Sequence, residues 1–445
     1  MKNANRITRA ATLAIVFAIL AGSLWARPYR TSQLSLDAAM AKPVMLAGEK
    51  QTAYLRVALQ GFSLEEPGCR PPVNIAIVID KSGSMTGDKI RNAKKAAIMA
   101  IERLGPEDII SIVTYDSGVN VVVPATKVRD KQAIFCAIRR IEAGGSTALY
   151  AGVQKGAREM RKFLCGNRVS RLVLLSDGLA NVGPQSPCQL GKLGTSLIKD
   201  GISVTTIGLG LGYNEDLMTQ LAYKSDGSHY FAENASELAG VFDDEFGRAL
   251  SVVAQEVQID IRCAKGVRPV RLLGREGKIS GRNVSVFINH FYSEHKKYFI
   301  LEVEVPKSSE HQTRKIAMVN VRYDNMKTGT SDELSNCPQV KFTNSLAAVE
   351  SSINSDVMVD VVEQLATERN ELATTLRDKG KTKEAQQMLL DNAAYLKFNA
   401  DRYNSKKLER YGELNDWDSK NLDGSSWTRQ RKSMRQAQSE NKYQR

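Results

Sequence analysis

Three short stretches of the chain bring carboxylates and hydroxyls together in a pattern that suits a hard metal ion. Residues 73–80 form an apolar run that ends in an acid, and two serines follow at alternate positions. Residues 143–147 form a glycine-rich loop that ends in a threonine, and residues 171–177 form a second apolar run that ends in an acid. Such hard oxygen atoms suit Mg²⁺, Mn²⁺ or Ca²⁺ rather than zinc or copper. The candidate ligands are Asp80, Ser82, Ser84, Thr147 and Asp177.

The apolar run at 73–80 must be positioned by a buried element. Its continuous β-branched character predicts a strand of a parallel sheet that is covered on both faces. Polar residues at the carboxyl end of such a strand lie where open α/β sheets hold their ligands. The run at 171–177 repeats this pattern, so all three stretches can meet at one edge of a sheet.

This constellation resembles the metal-ion-dependent adhesion site (MIDAS) of the von Willebrand factor type A (VWA) family, over about residues 71–249. The resemblance implies that Ser82, Ser84 and Thr147 coordinate the ion directly. It gives Asp80 and Asp177 mostly water-mediated or hydrogen-bonding roles. Mg²⁺ or Mn²⁺ is favoured over Ca²⁺. Neutral ligands leave the charge of the ion under-compensated, so an open position attracts an exposed Asp or Glu of a partner protein.

Each candidate ligand also has a simpler structural interpretation. Ser and Asp after a strand often cap the next helix, and Asp-Gly is a common turn pair. Five residues at matching positions favour the metal site over these separate explanations. Two neighbours stay open: Lys81 either weakens metal binding or holds an acidic partner, and Asp116 is either a helper of the site or, more simply, a turn residue.

The order of the remaining patterns predicts several structural units. Strand and helix signals alternate from Val73 to Leu250, which indicates a doubly wound, Rossmann-like α/β domain with a parallel sheet. Period-two alternation after Ser251 predicts an antiparallel β-sandwich. We expect strands near 43–46 and 52–59 to complete that sandwich, so that the α/β domain is inserted in it; the alternative is that the sandwich simply follows the domain. Secreted bacterial relatives and the inter-α-trypsin inhibitor heavy chains resemble this layout. The predicted units are 27–70 (sandwich strands), 71–250 (VWA domain), 251–343 (sandwich), 344–415 (helical hairpin) and 416–445 (disordered tail).

The first 26 residues predict export. Three basic residues precede an uncharged stretch from Ala10 to Ala26, which is the layout of a secretory signal peptide or a short membrane anchor. The protein is therefore expected in the periplasm, at the cell surface or secreted. The 62 Lys and Arg residues exceed the 49 Asp and Glu residues, for a net charge of +13. These charges are spread along the chain without a nucleic-acid-binding motif, so we expect no nucleic-acid partner.

The six cysteines contain no Cys-x-x-Cys pair, which argues against a zinc site. An even number in an exported chain permits disulfides, and Cys165 with Cys188 is our expected pair. The alternative is that some cysteines, such as Cys136, are buried free thiols.

The sequence offers little for catalysis. Of four histidines only His229 lies in the α/β domain, in a strand-like stretch, and no Gly-rich phosphate loop is present. We therefore expect a non-enzymatic, adhesion-type protein that binds an acidic residue of its partner through the metal. The alternative is a structural or assembly factor of the cell envelope whose metal site is not essential. A metallohydrolase is disfavoured because no general base is evident.

Overall fold

The computed structural model describes residues 33–64, 70–164 and 167–444. The predicted signal peptide or anchor, residues 1–26, lies outside these ranges. Within them, no helix combines the length and the apolar character needed to cross a membrane.

The described chain begins with three strands. They are β1 (Ser35–Met40), β2 (Val44–Leu46) and β3 (Gln51–Gln60). Gly48 lies in the turn before β3 with φ at +86°, a conformation that favours glycine. Strand β1 was not predicted, and it pairs antiparallel with β3 along its whole length.

The α/β domain follows. Its strands are β4 (Val73–Asp80), β5 (Ile109–Tyr115), β6 (Val119–Lys127), β7 (Val169–Ser176), β8 (Ile202–Leu209) and β9 (His229–Ala232). Its helices are α1 (Asp88–Glu102), α2 (Lys131–Arg139), α3 (Leu149–Arg161), α4 (Pro187–Ile198), α5 (Glu215–Lys224) and α6 (Leu238–Ala249).

The sheet order in this domain is β6-β5-β4-β7-β8-β9, and only β6 runs antiparallel to its neighbour. Every residue of β4, β5, β7 and β8 is buried, because α1, α2 and α6 cover one face and α3, α4 and α5 cover the other. Helix α3 approaches closely because Gly152 and Gly156 have no side chains: a Cβ at Gly156 would lie 2.6 Å from Val78 Cγ2. The chain leaves β4 towards β5 on one side and reaches β7 on the other, so the strand order reverses at the end of β4.

Nine strands follow the α/β domain. They are β10 (Val252–Cys263), β11 (Arg268–Leu273), β12 (Lys278–Ser280), β13 (Asn283–Tyr292), β14 (Lys296–Val305), β15 (Thr313–Lys315), β16 (Ala317–Asn325), β17 (Thr330–Asn336) and β18 (Gln339–Thr343). One antiparallel sheet has the order β1-β3-β14-β11 and another has β12-β13-β10-β16-β17. Both contribute to one hydrophobic core. A small third sheet, β15-β18-β2, includes the parallel pair β18 and β2.

Strand β3 precedes the α/β domain in the chain, whereas its partner β14 follows the domain. It pairs with β14 over ten positions, from Gln51 opposite Val305 to Gln60 opposite Lys296. In the chain, the α/β domain lies between β3 and β10. Strand β3 belongs to one of the two antiparallel sheets and β10 to the other, and both sheets contribute to the same hydrophobic core.

Five helices complete the described chain, in the region where a helical hairpin and a disordered tail were predicted. They are α7 (Leu346–Ser351), α8 (Ser355–Asp378), α9 (Thr382–Tyr403), α10 (Lys406–Lys420) and α11 (Gly424–Tyr443). The predicted disorder at 416–445 is wrong for the described residues, since α10 continues to Lys420 and α11 is a 20-residue helix. Its polar residues find partners: Lys432 is buried against Glu215 and the carbonyl of Tyr213. Polar composition alone does not prevent order when distant charges satisfy the buried groups.

The cysteine predictions have mixed outcomes. Cys165 lies outside the described residues, so the expected pair with Cys188 does too. Cys136, our example of a buried thiol, is exposed, because it lies on the outer face of α2. Cys263 is buried instead, and burial raises its pKa to about 11.

Candidate metal centre

Asp80 is the buried last residue of β4, at the point where the strand order reverses. Its Oδ1 accepts a hydrogen bond from the backbone N–H of Ser82 at 2.8 Å, and its Oδ2 accepts one from the Ser176 hydroxyl at 2.9 Å. Burial raises the pKa of Asp80, the nearby charge of Asp177 adds to the rise, and the hydrogen bonds from Ser82 and Ser176 oppose it. Two carboxyl groups in such a place favour a nearby cation.

The two serines follow in a tight turn. A short 3₁₀ helix, Gly83–Met85, contains Ser84, and the buried side chain of Met85 anchors this turn in the core. The Ser82 and Ser84 hydroxyl oxygens lie 3.1 Å apart. The Ser84 hydroxyl then donates to Asp177 Oδ1 at 2.7 Å. The serines of the first loop thus reach the acid that follows β7.

Thr147 approaches from the glycine-rich loop. Its backbone N–H donates to Asn181 Oδ1 at 2.8 Å, and the Asn181 N–H donates back to the Thr147 carbonyl at 3.2 Å. A Cβ placed on Gly178 would lie 3.5 Å from the Ser84 hydroxyl and 3.6 Å from the Thr147 hydroxyl. The two hydroxyls therefore flank one small space that the absence of a side chain at Gly178 keeps open.

The structure brings all five predicted residues to one edge of the sheet. Their donor set consists of hydroxyl and carboxylate oxygens, which is the chemistry that Mg²⁺ and Mn²⁺ prefer. Among residues 33–64, 70–164 and 167–444, no three His, Cys, Asp or Glu side chains gather into a metal-binding group. The hydroxyl and carboxylate oxygens of the five candidate residues would fit a hard cation of this kind.

Three residues of the site were not singled out from the sequence. Ser176 orients Asp80, Asn181 holds the backbone of Thr147, and Lys89 donates to Asp177 Oδ2 at 2.6 Å. Ser176 and Asn181 lie within four residues of Asp177 along the chain, and Lys89 lies in the first turn of α1. Position in a motif loop was the available signal, but hydrogen-bond partners cannot be read from spacing.

Lys81 and Asp116, the two residues whose roles the sequence left open, contact each other. The Lys81 ammonium donates to Asp116 Oδ2, and Asp116 Oδ1 accepts from the Gly118 N–H at 2.9 Å. The hydrogen bond from Lys81 lowers the pKa of Asp116. Asp116 therefore acts in the turn after β5 and as the partner of Lys81, in line with the simpler interpretation.

At the sheet edge that carries the five candidate ligands, here called the metal edge, Ser84 is exposed and the other four residues are buried. A cleft of about 930 Å³ lies elsewhere, lined by α4, α5 and α11 residues such as Lys192, Tyr223 and Arg435. That cleft mixes acidic and basic side chains and includes none of the five candidate ligands.

The chain thus contains an α/β domain with hydroxyls and carboxylates at the switch point of its sheet, where domains of this class place their ligands. Residues 74–244 match the family model described as the von Willebrand factor type A domain. These residues of the chain therefore form a VWA domain.

Relatives agree with this assignment. "Uncharacterized protein sll0103" of Synechocystis is 29% identical over 291 residues, which are 63% of this chain and 68% of that protein. Rat inter-alpha-trypsin inhibitor heavy chain H3 is 25% identical over 240 residues, which are 51% of this chain and 27% of the heavy chain. A solved von Willebrand factor type A structure from Catenulispora acidiphila has a TM-score of 0.70 at 15% identity and covers 87% of this chain and 89% of its own. That structure shares the fold, which includes the additional strands and helices.

Proposed function

We propose that this is an exported, non-catalytic protein whose VWA domain binds an exposed Asp or Glu of a partner protein through Mg²⁺ or Mn²⁺. The observation that carries the proposal is the shared space beside Gly178, where the hydroxyls of Ser84 and Thr147 lie next to the carboxylate of Asp177. Ser82, Ser84 and Thr147 would hold the ion, and Asp80 and Asp177 would orient the hydroxyls and water around it. The ion would supply an electrophilic position for a carboxylate.

The protein's own residues divide this work. Ser176 and the Ser82 N–H fix the orientation of the Asp80 carboxyl, and Asn181 fixes the Thr147 loop. Hydroxyl ligands add no negative charge, so the ion keeps attraction for a partner carboxylate. Electrostatic attraction of this kind gives both specificity and a faster encounter.

The non-catalytic part of the proposal is supported by the surroundings of His229. This histidine is 1% exposed, with Nδ1 2.9 Å from the Thr206 hydroxyl and Nε2 3.3 Å from the Tyr213 hydroxyl. A substrate at the metal edge could not reach a buried imidazole, so it is a poor general base for hydrolysis.

The arrangement of the strands outside the VWA domain supports a role in which they present that domain to its partner. We interpret the two antiparallel sheets as a β-sandwich into which the VWA domain is inserted, because β3 pairs with β14 from the far side of the insertion. An insertion needs its two ends close together, and both ends lie beside Tyr292: a Cβ on Gly61 would lie 2.0 Å from its carbonyl oxygen, and Val252 is its strand partner. The N-terminal 26 residues support export, as a cleaved signal or as an anchor that would keep the protein at the membrane.

A test of metal binding uses calorimetry with Mg²⁺ and Mn²⁺ on the full mature chain. We expect wild-type protein to bind one ion and Ser84→Ala to lose binding. Thr86→Val is the matched control, because Thr86 lies in the same turn but donates to the Gly83 carbonyl. Absence of heat from either metal with wild-type protein would refute the metal site.

A test of partner binding uses capture from envelope extracts with magnesium, with a chelator, and with Ser84→Ala. Retention only with magnesium and wild-type or Thr86→Val protein is expected, followed by loss when the partner's acidic residue is replaced. Retention in every condition would favour a structural or assembly factor of the envelope. The pairing of Lys89 with Asp177 favours this alternative, because it compensates the buried carboxylate without a metal.

A further inference from the structure

Lys89 occupies an unusual place beside the metal edge. Its ammonium donates to Asp177 Oδ2 at 2.6 Å, while the other oxygen of the same carboxylate accepts the Ser84 hydroxyl. The Asp177 side chain is 0% exposed and the Lys89 side chain is 38% exposed. A long side chain from α1 therefore delivers a positive charge to a buried acid of the candidate metal site.

A buried carboxylate needs a compensating charge, and its loss of partners is costly. Lys89 supplies one positive charge when no ion is bound. A divalent ion held by Ser84 and Thr147 would lie near the same carboxylate and would repel the ammonium. The half-exposed lysine stem can swing towards solvent, since lysine is flexible and its charge is a compact point.

We propose that Lys89 is a built-in counter-ion that competes with the metal for Asp177 and is displaced when the ion loads. The inference rests on the metal site of the proposed function. Two consequences follow. The loops keep their geometry without metal, and metal loading releases an ammonium beside the ion, where it can attract the acidic partner.

Lys81 provides a matched control. It also carries one positive charge in the ligand loop, but it pairs with Asp116 and its side chain is 19% exposed. Lys81→Met removes the same charge from the neighbourhood of the ion without freeing Asp177. Any effect that is specific to Lys89 therefore reports competition at Asp177 rather than general electrostatics.

The experiment is calorimetric titration of Mg²⁺ alone into wild-type, Lys89→Met, Lys89→Gln and Lys81→Met proteins at one pH and ionic strength. Loss of a partly buried charged competitor should tighten Mg²⁺ binding about tenfold in both Lys89 variants. Lys81→Met should tighten it no more than about threefold. Lys89→Gln retains a hydrogen-bond donor for Asp177, so it keeps the loop folded if methionine does not.

A second readout is thermal unfolding with and without Mg²⁺. The metal-free Lys89 variants should unfold at a lower temperature than wild-type protein, and Mg²⁺ should raise their Tm by more than it raises that of wild type. Unchanged or weaker Mg²⁺ affinity in both Lys89 variants would overturn the inference, with the metal site itself intact. Absence of Mg²⁺ binding in all four proteins would overturn the inference and the proposed function together.

Discussion

The buried carboxylate of Asp226 offers a sharp test of how the VWA domain is attached to the sheets. Asp226 follows α5, and its Oδ1 accepts from Arg275 at 2.7 Å while its Oδ2 accepts from the Asn289 N–H at 2.7 Å. Arg275 lies between β11 and β12, and Asn289 lies in β13. Both partners of the ion pair are buried. Asp226→Asn removes the charge, and Asn accepts the left-handed backbone found here, φ +53°, as readily as Asp.

The expected loss of folding stability in Asp226→Asn follows from the electrostatics of the ion pair. Burial raises the pKa of Asp226, but the charges of Arg275 and Lys297 outweigh it and lower the pKa from 3.8 to about 2. At 1.36 kcal/mol per unit, this shift contributes about 2 kcal/mol of stability at neutral pH. Since Asp226→Asn also leaves Arg275 buried without its carboxylate, we expect a total loss of about 2–4 kcal/mol.

The assay is urea denaturation of wild-type and Asp226→Asn proteins at several pH values. The folded pKa is below the unfolded value, so this contribution is present above about pH 4 and is lost as the pH falls towards 2. The two proteins should therefore differ most at pH 7 and least near pH 2. Asp200→Asn is the control, because its pair with Arg161 is substantially exposed and should contribute under about 1 kcal/mol. Equal stabilities of wild type and Asp226→Asn at pH 7 would refute the reasoning.

Asp418 should show the opposite pH dependence, because burial raises its pKa to about 7 against the hydrogen bond from Gln430. The folded pKa is above the unfolded value, so the free energy of unfolding should fall as the pH rises from about 4 to 7. In urea denaturation, Asp418→Asn should remove this slope and should be a few kcal/mol more stable than wild type at pH 8. An unchanged slope in Asp418→Asn would contradict this assignment. In α3, Gly156→Ala should cost about 1–3 kcal/mol in the same assay, because its Cβ would meet Val78 at 2.6 Å. Gly240→Ala in α6 is its control: nothing lies within 4 Å, so it should stabilise by up to about 1 kcal/mol, and equal effects would argue against close packing.

Local patterns predicted the VWA domain well because its signals are short-range. Before Asp80, every buried residue of β4 is apolar except Asn74, whose amide donates to the Met160 carbonyl. The five candidate ligands follow strand ends or open a helix, and strand ends of a parallel sheet meet at one edge. Motif spacing and sheet topology together were therefore sufficient to assemble the candidate site.

The features that sequence reasoning missed depend on distant partners. The buried Lys432 of α11 pairs with Glu215, which lies 217 residues earlier, so no local window contains the compensating charge. The composition of the tail suggested too little apolar area to fold, yet Met434 and Leu422 also enter a small core with α8 and α9. Lys89 was missed for a related reason, since its partner Asp177 lies 88 residues later in the chain.

Strand β7 links the metal edge to the contact between the VWA domain and the antiparallel sheets. Asp177 follows the end of this strand, and Arg171 lies near its start. Arg171 is buried, donates to the Tyr292 hydroxyl at 2.6 Å and lies 3.3 Å from a Glu245 carboxylate oxygen of α6. The strand is fully buried between neighbours, so it is a poor candidate for movement. Helix α6 is better suited to movement, because it packs on one face of the sheet rather than within it and continues directly into β10. If metal plus partner shifts α6, slower or faster hydrogen exchange should appear in residues 236–260; exchange there that ignores both ligands would mean that the sheets do not sense the metal edge.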